Sequence, residues 1–293
     1  MITEARHIMF IKGISYWSFP GGLEGALPVA GAFERAKKAG FESIEVCLSP
    51  AGDLTARTTE AQAKQTLRQA KDAGIQISSV ACAIFWEKSL TDEDAAVRKE
   101  GFDLARSLID LAHWLEADAV LVIPGAVDVF FLPAPPVDYQ TVYGRATDAI
   151  GALEPHARAA GVALAVENVW SKLLVDLLAM RTFIDQFGSS GVGSYLDVGN
   201  CMVNGYPEHW ITMLGHRIKR VHLKDFRRDV GTAGGFVDLL AGDVNWPGVI
   251  SALNDAGYSG YLTAEMIPGY KHYPEVLIEN TSRAMDAILG RRA

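Results

Sequence analysis

Short apolar runs recur along the chain, and each is followed by a longer stretch whose apolar positions return every three or four residues. The runs cover residues 11–16, 43–48, 76–83, 119–123, 163–168, 192–198, 218–224 and 260–266, and their length and β-branched content read as strands. The intervening periodicity predicts helices near 28–39, 58–73, 92–116, 139–160, 176–187, 207–215, 246–255 and 273–289. Several strands are continuous apolar runs, such as Ala119-Val120-Leu121-Val122-Ile123. Continuous runs suit a parallel sheet covered on both faces.

The punctuation supports the same reading. Ala39-Gly40, Ala73-Gly74, Ala160-Gly161 and Ala256-Gly257 each stand between a helical pattern and a strand. A glycine just past a helix end can take the left-handed conformation that stops the helix. Eight strands in strict alternation with helices predict a (β/α)₈ TIM barrel, with residues 1–293 forming a single domain. No Gly-x-Gly-x-x-Gly opens a helix after a strand, so a dinucleotide-binding sheet has no local support. The proline-rich run at residues 133–136 falls after strand four, which in a barrel makes it a loop on the C-terminal face. The glycine-rich run at 231–235 follows strand seven. It can cradle a phosphate with backbone N–H groups, although a plain flexible loop is the simpler expectation.

Charge narrows the partners. Lys plus Arg is 27 and Asp plus Glu is 35, a formal net charge of −8. Such a field opposes polyanions, so nucleic acid is disfavoured as a main partner unless a local basic patch exists; the longest basic runs are Arg227-Arg228 and Arg291-Arg292. No apolar stretch is long enough to span a membrane, and the patch at residues 8–11 is too short for a secretory leader. Cys47, Cys82 and Cys201 are scattered, which argues for reduced core thiols over disulfides or a thiolate metal site. A cytoplasmic protein is expected.

The chemistry concentrates at the carboxyl ends of strands five to eight, where a barrel keeps its functional groups. These ends carry Glu167, Asp197, His222 and Glu265. Three carboxylates on neighbouring strands about 4.8 Å apart would repel one another without a cation between them. His222 completes a four-ligand set for one divalent metal. Three oxygens and one nitrogen favour Mn²⁺, with Mg²⁺, Co²⁺ or Zn²⁺ as alternatives. Trp17, Phe85 and Trp86, ending strands one and three, are placed to wall a sugar pocket or to pack in the core. Lys172, beyond strand five, is placed to meet a phosphate or to stay on the surface.

The segments Val166-Glu-Asn168, Leu196-Asp-Val-Gly-Asn200, Val221-His-Leu-Lys-Asp225, Gly242-Asp-Val-Asn-Trp-Pro247 and Leu262-Thr-Ala-Glu265 resemble the sugar phosphate isomerase/epimerase family of the xylose isomerase-like barrel superfamily. The likeness is strongest from about residue 119 onward. It leans toward the branch with L-ribulose-5-phosphate and hexulose-6-phosphate 3-epimerases. It implies that Glu167, Asp197, His222 and Glu265 bind the metal and that Glu167 and Glu265 double as the acid/base pair. It also implies a substrate contact at Arg228, and a homo-oligomer. Ketose 3-epimerases often carry histidine three residues after the strand-six aspartate; here Asn200 stands there, still able to donate and accept hydrogen bonds.

The resulting expectation is a metal-dependent isomerase or epimerase of a small carbohydrate, a ketose or ketose phosphate, working through an enediolate. The substrate contacts expected are Arg228, Asn200, Trp17 and Lys172. The same site could serve a dehydratase or lyase acting on a keto-sugar or keto-glycoside. An abasic-site endonuclease and a non-catalytic metal-containing barrel fit less well.

Overall fold

The computed structural model describes residues 10–132 and 134–291. Residues 8 and 9 of the N-terminal apolar patch, Pro133 and Arg292 lie outside the described residues. Eight parallel strands close into a barrel: β1 Phe10–Ser15, β2 Ser43–Cys47, β3 Gln76–Ala81, β4 Ala119–Val122, β5 Ala163–Glu167, β6 Val192–Asp197, β7 Ile218–Leu223 and β8 Gly260–Ala264. Each strand pairs with its sequence neighbours, and β8 closes on β1. Around them lie α1 Val29–Lys38, α2 Glu60–Ala73, α3 Ala95–Trp114, α4 Tyr139–Ala160, α5 Leu177–Asp185, α6 Pro207–Leu214, α7 Trp246–Asp255 and α8 Pro274–Ile288. The expected TIM barrel is present, with ends displaced by a few residues. At α3 the displacement has a local cause: the Asp94 carboxylate caps the helix by accepting the Ala96 N–H at 2.8 Å.

Every residue of β4 is buried, because one face fills the barrel and the other meets helices. Gly74 and Gly161 end α2 and α4 in the left-handed conformation, at φ 70° and 71°. That is the role read for them in the sequence.

Two loops on the carboxyl side are built more firmly than their composition suggests. Asp225 and Phe226 pair antiparallel with Phe236 and Val237. The glycine-rich run at 231–235 therefore belongs to a short hairpin instead of a plain flexible loop. A Cβ on Gly235 would fall 2.6 Å from the Phe226 ring, so only glycine fits against it. The buried Asp225 carboxylate accepts from the N–H groups of Phe226, Leu240 and Val244 and from Trp246 Nε1, at 2.8 to 3.2 Å. One side chain thus ties the end of β7 to the start of α7, and the Asp225 and Gly242–Trp246 motif positions are explained by this tie. The loop after β4 is held at its base by Val127, whose N–H donates to Ser171 O and whose carbonyl accepts from Val137 N–H. It carries Phe130 and Phe131 out over the barrel mouth.

Candidate metal centre

Glu167 ends β5, Asp197 ends β6, His222 lies one residue from the end of β7, and Glu265 directly follows β8. Parallel register sets Asp197 directly beside His222, and His222 beside Thr263 of β8. All four side chains are buried, and one ligand atom from each lies within 4.8 Å of the others. His222 Nδ1 faces the three carboxylates, 3.5 Å from Glu265, 3.6 Å from Glu167 and 3.9 Å from Asp197.

The arrangement fits a cation on its own terms. Asp197 Oδ2, His222 Nδ1 and Glu265 Oε2 are buried without a hydrogen-bond partner among the described residues. Buried polar atoms are normally satisfied, and three orphans converging on one point are what a bound ion would satisfy. Lys224 Nζ partly fills that role, lying 3.0 Å from Asp197 Oδ2 and against Glu265 Oε2. Neither contact has hydrogen-bond geometry, so the ammonium offsets charge without completing the donor set. Burial would lower the Lys224 pKa, but Asp197, Glu265 and Glu167 together hold it above its usual range.

His222 is aimed by a network absent from the sequence reading. Its Nε2 lies 3.0 Å from Glu45 Oε1, a fully buried carboxylate on β2. Glu45 Oε2 accepts from Tyr195 Oη at 2.6 Å and Ser79 Oγ at 3.0 Å. With Nε2 committed to Glu45, Nδ1 is the nitrogen left for a metal. Burial alone would raise Glu45, but His222, Tyr195 and Ser79 together hold it below the usual carboxylate range. Glu45→Gln should keep the shape but lower metal affinity about 10–100-fold, the usual consequence of losing such a partner. Chelator competition measures this; wild-type affinity in the Gln variant would remove Glu45 from the metal's support.

Backbone contacts position the other ligands. Asn168 brackets Asp197, its Oδ1 accepting the Asp197 N–H at 2.8 Å and its Nδ2 donating to the Asp197 carbonyl at 2.9 Å. The Asn200 N–H donates to Asp197 Oδ1 at 2.8 Å, which leaves Oδ2 facing the cluster. Burial, reinforced by Glu265 and only partly offset by His222 and Lys224, raises Glu167 to about 7. Burial opposes a charged His222, but Glu45 and Glu265 raise its pKa well above the usual value. A cation must displace these protons, so affinity should climb as pH rises through about 7 and binding should release protons. Titration calorimetry in buffers of different ionisation enthalpy reads that release; pH-independent affinity with no proton released would contradict the assignment.

A cavity of about 410 Å³ opens above the cluster, lined by Glu167, Lys224, Glu265 and Asn200 at its floor. Of the two placements open to them, Trp17 and Trp86 line this cavity, while Phe85 is buried in the core. Two expected substrate contacts point elsewhere. The Arg228 guanidinium stacks 4.3 Å from the Tyr206 ring and is not among the lining groups. Lys172 pairs with Asp128 at 2.5 Å and lines an adjacent cavity of about 280 Å³. No described helix is long and apolar enough to cross a membrane.

A closed parallel barrel with a Glu-Asp-His-Glu cluster at its carboxyl mouth defines a TIM barrel with a candidate metal centre. The chain belongs to the xylose isomerase-like TIM barrel family, whose description it matches over residues 33–287. Among solved structures it is similar to a D-psicose 3-epimerase crystallised in the presence of D-fructose, at 19% identity and TM-score 0.78, covering 96% of this chain and 100% of that one. It is similar also to D-psicose 3-epimerase from Clostridium cellulolyticum H10 with D-tagatose, at 17% identity and TM-score 0.78, covering 95% and 98%. An L-ribulose 3-epimerase gives 17% identity and TM-score 0.77, covering 96% and 95%. At these identities the likeness establishes the fold. No curated protein matches the chain in sequence.

Proposed function

We propose that this protein is a divalent-metal-dependent isomerase or epimerase of a ketose or ketose phosphate, with Glu167 and Glu265 as its acid/base pair. The carrying observation is the convergence of orphaned, buried ligand atoms on the floor of a cavity wide enough for a sugar. An ion held by Glu167, Asp197, His222 and Glu265, Mn²⁺ by the chemistry of the donor set, would supply positive charge that polarises the substrate carbonyl. One glutamate takes the proton α to that carbonyl, giving an enediolate, and the other returns a proton from the opposite side. Asn200, at the floor, is the donor available to substrate oxygens, while Lys224 stays against Asp197 and Glu265. Trp17 walls the sugar. The ketose 3-epimerases to which the fold is similar support the choice of substrate class.

Turnover in deuterated water tests the reading. With Mn²⁺ present, a 3-epimerase should place deuterium at C3 of a ketose such as D-fructose, and an aldose–ketose isomerase at C1 or C2. Epimerised product without solvent deuterium would sink the two-base scheme, because a single proton cannot leave one face and return to the other.

A further inference from the structure

The cavity walls do not match the hydroxyl-rich surface of a free sugar. Beyond Glu167, Asn200, Lys224 and Glu265 at the floor, every lining side chain among the described residues is apolar or aromatic. Five aromatic rings form a continuous arc around the mouth. Trp86 meets Phe131 edge-on at 5.1 Å, Phe131 meets Phe130 edge-on at 5.1 Å, Phe130 lies 6.5 Å from Trp170, and Trp170 stacks on Phe236 at 5.0 Å. Phe130 and Phe131 are 68% and 47% exposed. A contiguous exposed apolar patch signals a binding site more than isolated exposed residues do, and this one is continuous with the catalytic floor. Trp170 is fixed in place by its Nε1, which donates to the Asn200 carbonyl at 3.1 Å. The adjacent 280 Å³ cavity shares Phe130, Val169, Trp170 and Asn200 with the first, so the space continues past the sugar position into a cavity of mixed lining that includes Asp128, Lys172 and Asn204.

Charge argues against a phosphate in that space. Lys172 is committed to Asp128 and Lys224 to two carboxylates of the cluster. Arg228 is spread on Tyr206, outside the cavity. Of the glycine-rich hairpin only Ala233 reaches the cavity wall, and the Gly235 N–H is already bonded to Thr232 O at 2.8 Å. Among the described residues lining the upper cavity, no free cation is placed to meet a dianion. Sugar hydroxyls set against the apolar walls would lose hydrogen bonds to water without replacement.

We infer that the substrate is an uncharged keto-sugar bearing a flat apolar substituent, of the aryl keto-glycoside class, with the ketone that the α-proton chemistry requires set on the floor and the aryl group within the aromatic arc. The inference rests on the proposed function for the floor and narrows its substrate. Aromatic faces around such a group supply affinity and orientation together.

The test uses the Mn²⁺-loaded full chain, with phenyl β-D-glucopyranoside, methyl β-D-glucopyranoside and D-fructose 6-phosphate as probes. Trp17, Trp86 and Trp170 line the cavity, so tryptophan fluorescence reports its occupation. The phenyl glycoside should bind at least about tenfold tighter than the methyl glycoside, about 1.4 kcal/mol, and the sugar phosphate no tighter than the methyl compound. Phe131→Ala and Trp170→Ala should each reduce the phenyl preference to about threefold or less. Equal phenyl and methyl affinities, no binding of the phenyl glycoside, tightest binding of the phosphate, or a preference untouched by both substitutions would each overturn the inference. Failure of the proposed reaction reads differently, as absent deuterium incorporation whatever the phenyl-to-methyl ratio.

Discussion

His222→Ala should abolish tight metal binding, lowering affinity at least about 100-fold, and turnover with it. The substitution removes the one nitrogen donor and leaves Glu167, Asp197 and Glu265 crowded with only Lys224 to offset them. It also strips Glu45 of its charged partner inside the barrel, where breaking a buried pair costs about 3–5 kcal/mol. The barrel should still form, since its β4 core and helical packing do not involve this residue. Two readouts separate the effects. Elemental analysis after gel filtration reports metal content. Melting with and without added Mn²⁺ reports the gain a specific ligand confers, about 2.7 kcal/mol at one hundred times its Kd. Wild-type metal content in the variant would dismiss the four-ligand site. A metal-induced rise in Tm that survives unchanged would dismiss it equally.

The four proposed ligands were legible because each closes an apolar run, and a parallel barrel brings all such ends to one rim. Glu167, Asp197 and Glu265 stand out as charges at the ends of otherwise buried strands. Glu45 is as deeply buried and belongs to the same network, yet it sits in mid-strand between Ile44 and Val46. Its partners Tyr195 and His222 come from β6 and β7, across the barrel, and no local pattern records such a pairing. The signal that was present is a lone carboxylate in an apolar run, which needs a partner somewhere. Lys224 stands at the end of strand seven in the sequence, and only closure of the barrel turns its ammonium onto Asp197 and Glu265. The proline-rich loop is placed on the C-terminal face by its position after strand four, but it has no periodicity, so nothing in the sequence singles out Phe130 and Phe131 within it. Arg228 and Lys172 illustrate the reverse: both are near the site along the chain, but Tyr206 and Asp128 draw their charged ends away from the cavity.

Glu167→Gln and Glu265→Gln should each cut turnover about 10²–10⁴-fold, the usual contribution of a general acid or base. Glutamine keeps the side-chain shape and one oxygen donor but cannot take the proton. Both residues are also proposed ligands, so lost activity alone has two causes, lost metal and lost proton transfer. The two substitutions should nevertheless differ in detail. Glu167 is raised to about 7 chiefly by burial, and the neutral amide imitates its protonated form, so Glu167→Gln should perturb the metal-free cluster little. Glu265 sits against the Lys224 ammonium, and its amide would leave that cation facing Asp197 alone. Metal content should therefore be measured for each variant, and rates compared only at saturating Mn²⁺. If the two glutamates act from opposite faces, one variant should lose solvent exchange into substrate, while the other retains exchange but forms no epimer. Which variant retains exchange identifies the residue that removes the proton from the tested epimer, and starting from the other epimer should reverse the pattern. A metal-loaded Gln variant that turns over at the wild-type rate would remove that glutamate from the chemistry and leave it a ligand only.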